Sequence, residues 1–202
     1  MVSRYEFLAD TYETEIEKVL SVWSMFDDTD LHVRPRAGDR RGRSFLEHMV
    51  HQCQSEAGWF EKMFEIEVRE GVLPETESQQ AFLAHYAAAG SQRLSALRSK
   101  VDGWWEQPAS FFGEPRPRTW IMVRRISHTS HHRGQQTALL RQLGRDLHST
   151  YGPTADTGGL AKDKPPVIYP YPDVATLLRE ESAARAKAPL PTPVDRDVTE
   201  RP

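Results

Sequence analysis

His128 and His132 stand four residues apart in the run Ser127-His-Thr-Ser-His-His-Arg-Gly-Gln135. On a helix that spacing puts two imidazoles on one face, on successive turns, where both can chelate one metal ion. The pair is in phase with Ile121, Leu139 and Leu143, on the flank of an apolar stripe. Two neutral imidazoles there need a partner to offset their desolvation, and a metal ion would serve both. His48 and His51 lie three apart on another predicted helix, and a ligand from it would close a three-histidine site, as inward-facing ligands do in bundles. His48, one turn from the helix start, is the expected third ligand. His51 and Gln135 are read as pocket residues that touch bound water or substrate. His131 is offset about 100° from His132. His32, His85 and His148 are isolated and receive no role.

What is missing narrows the chemistry. In Glu47-His-Met-Val-His51 the glutamate precedes the histidine, so this is not the His-Glu-x-x-His of zinc proteases. No Glu-x-x-His pair occurs at these positions, which argues against a ferritin-like di-iron site. Three imidazoles without a carboxylate leave the ion its full charge and at least one open position, the arrangement of a catalytic ion. Imidazole suits zinc, nickel, copper and iron. The expectation is one divalent transition metal, zinc or nickel first, manganese or iron next. No residue is assigned as catalytic acid or base.

Four amphipathic segments must position these groups. The first runs from about Arg4 to Phe26, with Phe7, Leu8, Tyr12, Ile16, Val19, Val22, Trp23 and Phe26 at spacings of three and four. The second starts at Ser44, whose spacing from Glu47 is that of a capping box, and is expected to end near Gly71. The third begins near Ser78 and carries apolar positions to Val101. The fourth runs from about Thr119 to Leu143, with Gly144 at its end. Trp104, Trp105, Phe111 and Phe112 interrupt the pattern and are expected to pack over a bundle end; the tryptophans, Trp59 among them, and the Phe111-Phe112 pair are read as core or dimer contacts, or as walls of an apolar substrate pocket. With no strand pattern, the chain reads as an all-α helical bundle over residues 1–144. A turn-rich extension over 145–202 follows. Within it Asp173 can cap a short helix from Val174 to about Lys187, and Ala188 to Pro202 has a disordered composition.

The chain has 202 residues, enough for one domain with an appendage, and its net charge of -3 gives no bulk attraction to nucleic acid or anionic membrane. A single cysteine, Cys53, excludes an intrachain disulfide and a thiolate zinc cluster. It lies about 140° around the helix from His48, the position of a packed thiol rather than a ligand. Without an apolar signal core or a spanning segment, the expected location is cytoplasmic.

Two stretches resemble the DinB/YfiT-like family. Leu46-Glu-His-Met-Val-His51, with Glu56 and Trp59 downstream, is similar to that family's second helix. Ile126-Ser-His-Thr-Ser-His-His-Arg-Gly-Gln135, followed by Leu139-Leu-Arg-Gln-Leu-Gly144, is similar to its last. The resemblance covers about Tyr5 to Gly144. It implies an up-down-down-up four-helix bundle, a homodimer, and metal ligands at His48, His128 and His132. Some relatives are thiol-dependent S-transferases or isomerases. The implied function is therefore a metal-dependent enzyme that activates a small thiol for transfer to an electrophile. A metal-dependent hydrolase and a non-enzymatic metal-binding or stress-response module are the alternatives. Arg40, Arg41 and Arg43, in a loop feeding the start of the second helix, offer an anion-binding set for such a thiol's carboxylates.

Overall fold

Ser44 starts the helix that carries two of the histidines. In the computed structural model, which describes residues 3–183 and 187–192, its hydroxyl accepts from the Glu47 N–H at 3.3 Å, while the Glu47 carboxylate accepts from the Ser44 N–H at 2.9 Å. This reciprocal cap satisfies two of the free donors at the helix start. Helix α1 spans Glu6–Ser24, α2 Phe45–Phe64, α3 Gln79–Arg98, and α5 Arg118–Gln142, with a short α4 at Asp102–Glu106. Ser78 caps α3 through the Ala81 N–H at 3.2 Å.

Helix α2 stops at Phe64, seven residues before the expected Gly71. Glu65 is left-handed at φ 54, and the Phe60 carbonyl accepts from the N–H groups of Glu65 and Ile66. Ile66 is buried and the Glu65 carboxylate reaches Arg118 at 3.0 Å, so tertiary contacts offset a backbone conformation that usually selects glycine.

The absence of strands also needs correction. Strands β1 (Pro108–Phe111) and β2 (Glu114–Pro117) pair antiparallel, with Pro108 opposite Pro117 and Phe111 opposite Glu114. Four-residue strands ended by prolines carry too little alternation to be legible. Trp105 is buried in the main core at the foot of the bundle, as expected, and Trp104 packs against it.

Helix directions follow from paired contacts. The end of α3 meets the start of α1, where Arg98 pairs with Glu6, Asp10 and Glu13. The start of α3 meets the end of α1, where the Gln79 amide donates to the Trp23 and Phe26 carbonyls. Arg118, opening α5, donates to the Met63 carbonyl near the end of α2, so α2 and α5 are antiparallel. Arg145, just past α5, pairs with Asp27 and Asp30, just past α1. The order is up-down-down-up around a core of Trp23, Phe45, Met49, Phe60, Phe82, Tyr86, Ile121 and Leu140.

The stretch beyond α5 packs on α1 and α3 through α6 (Val174–Ser182), capped by Asp173 and anchored by the buried Leu177. Residues 184–186 and 193–202, parts of the expected helix end and disordered tail, lie outside the described residues. Ala188 is tied down: its N–H donates to Pro170 at 3.0 Å, and its carbonyl accepts from His148 at 2.7 Å. Among the described residues no helix is long and apolar enough to cross a membrane.

Candidate metal centre

The stripe of α2 that faces α5 reads Phe45, Met49, Gln52, Glu56, Phe60, Met63, and the facing stripe of α5 reads Ile121, Arg125, Thr129, His132, Gln136, Leu139; all are buried. Polar residues therefore occupy the middle of two core stripes. Gln136 donates through Nε2 to Gln52 Oε1 at 2.6 Å. Beyond them, Glu56 is fully buried and accepts from Tyr12 and, at 2.8 Å, from Tyr86. Arg93 and Arg125 lie 3.3 and 3.4 Å from its carboxylate. Burial would raise the Glu56 pKa, but Arg125 and Arg93 outweigh it and hold the carboxyl below its usual range.

Above this floor the histidines converge. One ring nitrogen each from His51, His128 and His132 falls within 4.8 Å of the others. Within that group the Nε2 atoms of His128 and His132 are 3.2 Å apart. The Nδ1 of His132 lies 3.1 Å from the Gln135 side-chain oxygen. His132 is buried, whereas His51 and His128 are half-buried. His48 is buried deeper on α2, its ring centre 5.7 Å from that of His132 and its Nδ1 without a partner among the described residues.

The sequence reading put His48 in the ligand set and His51 behind it. The geometry groups His51 with the α5 pair instead. Three residues on a helix differ by about 60° in direction, so both face α5, and the rotation of α2 about its own axis decides which comes nearer. Gln135, read as a residue touching bound water or substrate, lies beside His132. Of the three loop arginines, Arg41 is turned to Asp39 at 2.9 Å, Arg40 is exposed, and Arg43 is the one whose charge reaches His48 and His51. Cys53 is buried, and burial together with Glu56 pushes its thiol up to about 12, as befits a packed group.

Burial lowers all four imidazole pKa values. His48 and His128 fall to about 4 and His132 to about 3. Arg43 adds to the effect at His48, Arg125 at His128, and the neighbouring rings at His132. At neutral pH the cluster is a set of uncharged imidazoles with lone pairs to offer, the state a metal ion requires.

One part of the site, Arg125, was not foreseen. Arg125 is fully buried, donates to Ser55 at 3.1 Å and Thr129 at 3.0 Å, and lies 5.6 Å from the Trp59 ring centre. A charged residue four positions from Ile121, in the core phase of α5, was its sequence signal. Trp59, one of the tryptophans read as core or dimer contacts or as pocket walls, has its ring centre 5.8 Å from that of His128 and carries the hairpin aromatics against the site.

The fold is similar to that of a solved structure. A DinB-like protein from Bacillus cereus superposes over its whole length and over 75% of this chain, with a TM-score of 0.64 at 22% identity. That likeness bears on the fold. The chain is also 31% identical over 84 residues, 41% of its length, to an uncharacterized Bacillus subtilis protein, YrdA. The match spans about half of that curated relative. The DinB family model matches residues 9–160, three quarters of the sequence and every residue of the histidine cluster, so the chain belongs to the DinB family.

Proposed function

We propose that this protein holds one divalent transition metal between α2 and α5 and uses it to activate a small thiol for transfer to an electrophile. His51, His128 and His132 are the proposed ligands. The observation that carries this reading is their convergence, with one nitrogen each inside 4.8 Å. Zinc–imidazole bonds of about 2.0–2.1 Å in tetrahedral geometry separate two ligand nitrogens by about 3.4 Å. The His128–His132 pair, at 3.2 Å, has nearly that spacing already. The all-imidazole donor set suits zinc or nickel, and iron after them.

Bound there, the ion would supply Lewis acidity that makes a coordinated thiol or water anionic near neutral pH. The chain's own residues do the rest. Gln135 orients His132 by accepting a hydrogen bond from its Nδ1–H. Arg43, with Arg40 nearby on the same loop, places positive charge at the α2 end of the site, where a carboxylate-bearing thiol would dock.

The test is metal content by mass spectrometry on untagged wild-type protein and on His51→Ala, His48→Ala and His128→Ala. About one ion per chain, lost in His51→Ala and His128→Ala but kept in His48→Ala, supports the assignment. Retention in His51→Ala with loss in His48→Ala moves the third ligand to His48. No metal in the wild type after incubation with zinc, nickel and manganese ends the reading. With metal established, electrophile consumption that requires added thiol supports transfer. Thiol-independent ester cleavage would assign the ion to hydrolysis instead.

A further inference from the structure

Aromatic rings continue outward from the histidines. The Trp59 ring centre lies 5.8 Å from that of His128. Phe111 and Phe112 follow at 5.3 and 6.0 Å from Trp59, and Trp120 at 5.0 Å from Phe111. Trp59 is braced from below by the buried Arg125 guanidinium. The series opens outward: Trp59 and Phe111 are half-buried, Trp120 is 40% exposed and Phe112 is 74% exposed. Apolar surface of this kind beside a polar cluster is the makeup of a small-molecule site.

Phe112 is the residue that needs an explanation. It and Gly113 form the two-residue turn of the β1–β2 hairpin, with φ 51 and φ 96. Turns with two left-handed central residues favour Asn or Asp followed by Gly. A bulky aromatic in the first position is disfavoured by its own backbone. Its exposure means that burial in the core does not offset the strain. Residues held this way concentrate where a ligand is gripped.

We infer that the hairpin tip is a substrate wall: Phe112, with Phe111 and Trp59, receives a flat aromatic group on a substrate whose polar end reaches the histidines. The inference rests on the metal-centre reading, since it names the class of substrate which that centre would take. A flat ring fits because the wall offers ring edges and faces in T-shaped arrangement, with interplanar angles of 76–78° between Trp59, Phe111 and Phe112.

Cobalt-loaded protein would be titrated with benzyl mercaptan and with 2-mercaptoethanol, following the sulfur-to-cobalt absorption band. The expected preference for benzyl mercaptan is about tenfold or more in the wild type, from burial of one ring. Phe112→Ala should remove most of it, leaving cobalt binding and 2-mercaptoethanol affinity unchanged. Phe112→Tyr should retain it. Phe112→Asn should lose the preference while raising Tm, because the turn is then relaxed. Equal preference in wild type and Phe112→Ala overturns the inference, as does no preference in a wild type that binds cobalt; neither result touches the metal reading. Absence of any cobalt band in the wild type removes both. Conversion of a dimer to a monomer by Phe112→Ala, with thiol preference intact, would make Phe112 an interface residue and overturn the wall.

Discussion

The Nε2 atoms of His128 and His132 lie 3.2 Å apart, one turn from each other on α5, while the other face of His132 is held by Gln135 at 3.1 Å. The amide oxygen can only accept, so His132 carries its proton on Nδ1 and turns a lone pair toward His128. A ligand's distal hydrogen bond of this kind fixes its tautomer and raises its basicity. Gln135→Leu should therefore weaken zinc binding by about tenfold or more, with Gln135→Glu close to wild type. Competition against a chromophoric zinc chelator measures both; equal affinity in all three proteins would remove Gln135 from the site.

Acid should destabilise the metal-free protein before ordinary carboxylates titrate. Folded His48 and His128 titrate at about 4 and His132 at about 3, against 6.5 for an ordinary imidazole. Between pH 6.5 and about 4 the unfolded chain binds more protons than the folded one, so stability falls as pH falls through that window. Above pH 6.5 these groups add no pH dependence. Urea midpoints of chelator-treated protein from pH 7.5 to 4.5 should fall, and fall less in His132→Gln. Parallel curves for the two proteins would contradict the depressed values.

Glu56 anchors two guanidinium groups in the middle of the bundle, with Arg93 3% and Arg125 0% exposed. Removing the carboxylate charge leaves both buried cations without their counter-ion. Glu56→Gln should cost about 3–5 kcal/mol in chemical denaturation, although the change is nearly isosteric. A loss under about 1 kcal/mol would mean that Tyr12, Tyr86 and the arginines repack around the amide.

Gly90 of α3 packs against Ile16 of α1. A Cβ there would meet Ile16 Cδ1 at 2.9 Å and Cγ1 at 3.2 Å. The gain in helix propensity from alanine, about 1 kcal/mol, opposes an overpacking penalty of about 1–3 kcal/mol. Gly90→Ala should be destabilising by about 1 kcal/mol alone and neutral or stabilising in an Ile16→Val background, which removes Cδ1. Additive effects in that double-mutant cycle would place the restraint elsewhere.

Much of the architecture was legible because it rests on local rules. Ser44 caps the helix it was expected to cap, α3 starts at Ser78 as expected, and α5 ends within a residue of its expected limit. The end of α2 was not legible, because Glu65 adopts a glycine conformation supported by Arg118, a residue 53 positions away. The hairpin was invisible for a related reason: its turn uses Phe112 where pattern rules look for Asn or Asp. Arg125 and Glu56 could have been noticed as charges inside apolar stripes, but their pairing is a contact between helices.

By itself the sequence determined that this chain is a helical bundle and that His128 and His132 share one face of a helix, because both follow from a 3.6-residue period written in the local order of side chains. It also placed His48 and His51 on a helix that could meet them. Only the tertiary structure decided that His51 is the ring grouped with the pair, that Arg43 rather than Arg41 carries its charge to the site, and that Trp59 and the hairpin border it. Those outcomes depend on the rotation of α2 about its axis and on contacts between residues far apart in the chain, which no periodicity records.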